Sequence, residues 1–174
     1  MDKIASFIGL PLQWSRPSLL KPQYELKSGE DLVATLRFRS IWGTFATAQS
    51  EEGCWTFKRV GFWQTRATIR PCDSEEEIAM FRNNTWSGGG TLLFPDGRQY
   101  LASTNFWQTQ CEFKTEGGES LIHYRNRGVF RSSAEVTILP KAQDLAELPW
   151  MVMLGWYLIL MMQSDSAASA AATS

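Results

Sequence analysis

Residues that carry chemistry are scarce in this chain. One histidine, His123, and three cysteines, Cys54, Cys72 and Cys111, stand among 174 residues. The cysteine number is odd and no C-x-x-C pair exists. That argues against a disulfide framework and a zinc site, and favours a reducing, cytoplasmic setting. A catalytic histidine needs a nucleophile and an orienting acid. His123 instead lies in Leu121-Ile122-His123-Tyr124, where alternation places it on one strand face with Leu121 and Arg125. The net charge of −1 supplies no global field toward nucleic acid or an anionic membrane, so such binding would need a local patch. The first residues have a short apolar run broken by Pro11 and no small-residue cleavage site, a poor match to a signal peptide.

Other absences narrow the chemistry further. Gly88-Gly89-Gly90 leads into a strand-like run without a lysine, so it reads as a bulge or tight bend and not a phosphate loop. Asp73-Ser74-Glu75-Glu76-Glu77 lacks the spaced oxygens and glycine of an EF-hand loop, and the glutamate run reads as a solvated turn. No catalytic constellation, metal site or cofactor is expected. Of the cysteines, Cys72 after Arg70-Pro71 has the nearest thing to an electropositive thiol setting, and Cys111 reads as a small core residue.

What the chain does have is punctuation. Ser28-Gly29, Glu52-Gly53, Asp96-Gly97 and Gly117-Gly118 separate runs of about 5–9 residues rich in Thr, Trp, Phe, Ile and Val. Leu92 to Tyr100 reads as a hairpin about an Asp96-Gly97 turn. A repeat runs through the runs. Trp42-Gly43-Thr44-Phe45-Ala46-Thr47-Ala48, Trp63-Gln64-Thr65-Arg66-Ala67-Thr68-Ile69 and Trp107-Gln108-Thr109-Gln110-Cys111-Glu112-Phe113 are its clearest copies, with weaker ones at Trp86 and Phe130. Their first positions step by 21, 23, 21 and 23 residues, the span of a hairpin.

Residues at i, i+2, i+4 and i+6 share one strand face. That face reads aromatic, Thr/Ser/Gly, small, then mostly apolar, while the other is polar, as in an antiparallel sheet wet on one side. The four tryptophans at one register are expected to pack in the core or rim. Small residues in the middle of a buried face imply a bore that something else fills. Five hairpins plus Leu32–Phe38 and Tyr24–Lys27 give about 11–12 strands, too wide a barrel for wall side chains alone to fill.

The filler lies downstream. Asp144 and Glu147 precede Pro149, which suits a first helical turn. The run from Leu148 to Met162 is apolar on every side and must be buried. Its 15 residues span roughly 22 Å, short of a bilayer core, and it lacks a basic flank, so no transmembrane segment is expected. The expected fold is mainly β: a closed antiparallel barrel of about 12 strands around a buried C-terminal helix, 149–163. Residues 1–23 form an N-terminal extension, 24–163 the barrel with its helix, and 164–174 a disordered tail.

A β-meander ending in a wholly hydrophobic helix resembles the tubby C-terminal-like superfamily, which includes tubby domains, plant LURP-one-related proteins and phospholipid scramblases. The likeness spans Tyr24 to Gln163 and rests on strand count, the terminal position of the helix, and the acidic lead-in to Pro149-Trp150 and Leu154-Gly155-Trp156-Tyr157. It implies a barrel of about 12 strands around the helix, and binding of phosphoinositide or phospholipid head groups on the exterior.

From the residues, Arg37, Arg39, Lys58, Arg66 and Arg70 are candidates for one outward basic patch able to read phosphate, against the ordinary role of such residues as a solvated strand face. The expected function is non-enzymatic binding of anionic head groups by a monomeric cytoplasmic protein, peripheral to a membrane, with no nucleic-acid partner. The alternatives are a lipocalin-type barrel with an empty bore, a scramblase-like membrane-associated protein and, last, a lipid- or glycan-directed enzyme.

Overall fold

The computed structural model describes residues 1–61, 65–84, 89–105, 108–127 and 132–173. Twelve strands follow one another in chain order: β1 Leu12–Ser15, β2 Gln23–Ser28, β3 Asp31–Phe38, β4 Ala46–Ser50, β5 Gly53–Val60, β6 Arg66–Pro71, β7 Ala79–Asn83, β8 Gly89–Leu93, β9 Gln99–Thr104, β10 Gln110–Thr115, β11 Ser120–Arg127 and β12 Ser133–Ile138. Each pairs antiparallel with its chain neighbour, and β1 pairs with β12, which closes the barrel. The helix α1, Leu148–Ala172, comes last.

The twelfth strand is not where the sequence reading placed it. The fifth repeat copy has no second strand, because β12 leads into α1. The missing member is β1, inside the segment read as an extension. Leu12 and Trp14 point inward and are fully buried, and Gln13 faces out. A strand of four residues carries too short an alternation to stand out in the sequence.

The repeat maps onto the even-numbered strands. Ala46 and Ala48, Ala67 and Ile69, Cys111 and Phe113, and Ala134 and Val136 all point inward and are buried. The first copy's Trp42 does not: it precedes β4 in the 39–45 connection and is 95% exposed, contrary to the expected core or rim packing. The inward parity holds only once the strand begins at Ala46. Trp63, Trp86 and Trp107 lie outside the described residues.

Small wall residues leave room for α1. Trp156 stacks on Trp14 with ring centroids 6.0 Å apart, and Tyr157 stacks on Phe38 at 5.8 Å. Tyr124 of β11 donates its hydroxyl to the carbonyls of Met151 and Val152. Glu147, at the head of the helix and 6% exposed, accepts hydrogen bonds from Tyr100 and Arg98. The helix also continues past Gln163 to Ala172, where the sequence reading expected a disordered tail. Alanine is the strongest helix former, and its repetition after Ser166 extends an existing helix at little cost.

The two barrel ends differ. The helix starts at one, which the 3-10 turn Ile4–Phe7 caps, with the Ile4 amide bonded to Glu52 of the β4–β5 turn. It leaves at the other, where the bidentate Arg59–Asp165 pair and the Tyr157 hydroxyl bonded to the Thr44 carbonyl fix it to the wall. The first is the capped end of the barrel and the second its exit end. Every odd strand runs toward the exit end and every even strand away from it.

The expectation against a disulfide is overturned. Cys54 and Cys72 are bonded, with Cα atoms 5.4 Å apart. They are 18 residues apart in sequence, but the β5–β6 register sets Trp55 opposite Pro71 and so brings the flanking cysteines together. This also removes Cys72 as a reactive thiol. The odd cysteine is Cys111, buried against the core, where burial pushes its thiol up to about 12.

Candidate functional site

The outward residues of β3 to β7 form three rows across the strands. One row runs Arg37, Thr47, Thr56, Arg70. The next carries Lys58 opposite Thr68 and then Met80; Arg39 lies two strands from Lys58, its amide bonded to the Phe45 carbonyl. The third sets Val60 opposite Arg66 and Arg66 opposite Arg82. Directly opposed residues have side chains that start about 5 Å apart, and like charges there repel.

All five predicted residues therefore lie on one outer flank, but they are not equivalent. Arg70 belongs to the capped end and is gripped by Glu75 at 3.0 Å and Glu77 at 2.9 Å. The Glu77 hydrogen bond raises the Arg70 pKa above its ordinary value. Its charge is spent locally, so it leaves the candidate group. Arg37 donates to the amide oxygen of Gln23 at 3.2 Å, which leaves its charge uncompensated. Arg39, Lys58 and Arg66 have no acidic partner among the described residues. Neither does Arg82, which the sequence reading missed. The alternation of Ala79 and Phe81 inward with Met80 and Arg82 outward was the available signal.

The rest of the wall behaves differently. On β10 to β2, Lys114 pairs with Glu112, Arg127 with Glu135 and Lys27 with Glu25. Partial burial works to raise the Glu112 carboxyl, but hydrogen bonds from Lys114 and Ser120 and the Lys114 charge outweigh it and hold it low. His123 sits opposite Glu112 on this side, half-buried and facing outward. On the described strands β10 to β2 only Arg125 lacks such an ion pair, whereas Arg37, Arg39, Lys58, Arg66 and Arg82 together make a basic flank without one.

Space for a ligand lies outside the bore. Beside α1 at the exit end, Phe81, Ala102, Cys111 and Met161 border a cavity of only about 40 Å³. An open groove of about 470 Å³ lies between the 16–22 and 39–45 connections, bordered by Arg16, Tyr24, Trp42 and the Gln163–Asp165 turn of α1. Arg16 is occupied there in holding the carbonyls of Ser18, Leu19 and Lys21. Among the described residues no three His, Cys, Asp or Glu side chains gather to hold a metal ion. No described helix is long and apolar enough to cross a membrane. The barrel is apolar inside and carries charged residues around its outer wall, the reverse of a transmembrane barrel.

No match exists among protein-family models, curated proteins or solved structures.

Proposed function

We propose that this protein is a non-enzymatic, monomeric binding protein that recognises anionic phospholipid or phosphoinositide head groups on the outer flank of β3–β7, as a tubby-like barrel would. The observation that carries this reading is the clustering of five uncompensated basic residues, Arg37, Arg39, Lys58, Arg66 and Arg82, set against a remaining wall whose cations are paired except Arg125. Guanidinium groups donate in a planar fork that suits phosphate oxygens, and mutual repulsion between Arg66 and Arg82 favours an anion placed between them. The occupied bore speaks against a ligand carried inside the barrel. The Cys54–Cys72 bond fits an oxidising compartment better than a reducing cytoplasm.

Co-sedimentation with vesicles tests it. The protein is expected to pellet with phosphatidylcholine vesicles containing phosphatidylserine or a phosphoinositide, to stay in solution with phosphatidylcholine alone, and to release as salt rises. Arg66→Glu with Arg82→Glu should lower the bound fraction by about tenfold or more, since each adjacent basic residue contributes about 1 kcal/mol near an anionic surface. Arg70→Glu should change it little. Equal binding to neutral and anionic vesicles would overturn the proposal.

A further inference from the structure

The near-zero net charge conceals a strong separation along the barrel axis. The capped end collects acids in its turns: Glu30, Glu51, Asp73, Glu75, Glu116 and Glu119 are all there and exposed. The exit end is basic. Arg16 and Lys21 lie in the β1–β2 connection, Arg39 begins the β3–β4 connection, and Arg66 and Arg82 sit at the exit ends of β6 and β7. The acid at the mouth, Asp165, is bound to Arg59.

The same end holds the most exposed apolar side chains of the described residues. Leu19 is 80% and Leu20 92% exposed in the β1–β2 connection; Ile41 is 69% and Trp42 95% exposed in the β3–β4 connection. Each pair crowns a separate loop, and the two loops flank the open groove. Neither pair packs on the core, so neither is explained by stability. Their backbones are nevertheless held: Arg16 binds three carbonyls of the first loop, and the Tyr157 hydroxyl binds the Thr44 carbonyl of the second.

Two raised apolar tips within a basic, acid-poor end match one kind of partner, a bilayer whose surface is anionic and whose interior is apolar. Tryptophan prefers the level of the head groups, leucine and isoleucine the acyl region beneath, and arginine or lysine the phosphate layer. A folded protein partner would more often meet a continuous apolar patch than separate tips. The axial charge separation turns the acidic end away from the surface before contact. From Ser166 to Ala172 the emerging helix carries only uncharged Ser and Ala side chains.

We infer that the exit end is a membrane-docking face: Leu19-Leu20 and Ile41-Trp42 insert into an anionic bilayer while the basic flank contacts its head groups. This rests on the head-group reading and adds the orientation and the apolar anchor.

Single cysteines introduced as Leu20→Cys or Trp42→Cys and labelled with a polarity-sensitive fluorophore report insertion. Leu10→Cys, at the capped end, serves as the control, and unsubstituted protein measures any labelling of the buried Cys111. The probe vesicles are phosphatidylcholine with a quarter phosphatidylserine, and phosphatidylcholine alone. The expected result is a blue shift at positions 20 and 42 with anionic vesicles and none at 10. Leu20→Ser with Trp42→Ser should lower binding by ~10-fold or more. Vesicle-bound protein whose probes at 20 and 42 stay in water overturns the insertion and leaves the head-group reading standing. Blue shifts on both vesicle types, insensitive to Arg66→Glu with Arg82→Glu, overturn the head-group reading and leave insertion standing. No sedimentation with either vesicle, or with phosphatidylcholine vesicles containing a phosphoinositide, overturns both.

Discussion

Gly155 is the residue on which the fit of helix to wall depends most directly. A Cβ at this position would lie 2.2 Å from the Tyr124 ring carbon Cζ, and the ring is buried in the wall with its hydroxyl bonded to the helix carbonyls of Met151 and Val152. Alanine is a better helix former than glycine by about 1 kcal/mol. The clash outweighs that gain, because neither a twelve-strand wall nor a bonded tyrosine can yield a whole ångström, and overpacking of this kind costs about 1–3 kcal/mol. Gly155→Ala should therefore lower stability, by up to about 2 kcal/mol, read as a lower urea midpoint with an unchanged slope. An unchanged or higher midpoint would show that α1 can shift within the barrel.

At the scale of elements, the β5–β6 hairpin carries both a covalent tie and part of the basic flank. The Cys54–Cys72 bond closes an 18-residue separation near the capped end, while Lys58 and Arg66 lie farther along the same strands. In the chain-entropy view a loop of that size is stabilised by about 3 kcal/mol through restriction of the unfolded state. Cys54→Ala with Cys72→Ala, or reduction of the native protein, should thus lower the unfolding free energy by up to about that amount. Head-group binding should survive at temperatures where the protein stays folded, because strand register and not the disulfide positions Lys58 and Arg66. The helix also divides in two: the part up to Leu160 is largely buried, and residues 167–172 are exposed.

At the scale of the molecule, the four tyrosines share one consequence of the filled bore. Burial pushes the hydroxyls of Tyr24, Tyr100, Tyr124 and Tyr157 above their ordinary value of 10. For Tyr100 the rise reaches about 12, with burial first and the hydrogen bond to Glu147 second. A folded-state pKa above the unfolded one contributes stability that is fully present below pH 10. It is lost as pH rises through the folded values, because only the unfolded chain ionises readily in that window. Tyrosinate absorbance should therefore stay low just above pH 10 and then rise together with loss of near-ultraviolet circular dichroism. Tyrosines that ionise near pH 10 while the fold persists would contradict the packed interior.

Much of this was legible before any coordinates, because it depends on local rules. A strand alternates with period two, so Ala46 and Ala48, or Ala134 and Val136, declare an inward face by themselves. A helix apolar on every side must be buried, which made Leu148–Met162 the core of the barrel. The outward parity of Arg37, Lys58 and Arg66 follows from the same alternation. What stayed hidden depends on register between strands and on which ends meet. Nothing near Arg66 in sequence says that Arg82 stands opposite it, or that Cys54 faces Cys72, or that Glu75 and Glu77 neutralise Arg70. Likewise the loops bearing Leu20 and Trp42 become neighbours only once β2 pairs with β3 and sets the two hairpins side by side. Local periodicity determines which way each side chain points; only the register between paired strands, which sets residues of different strands opposite one another, decided which charges stay uncompensated and that they gather at the end where the apolar tips emerge.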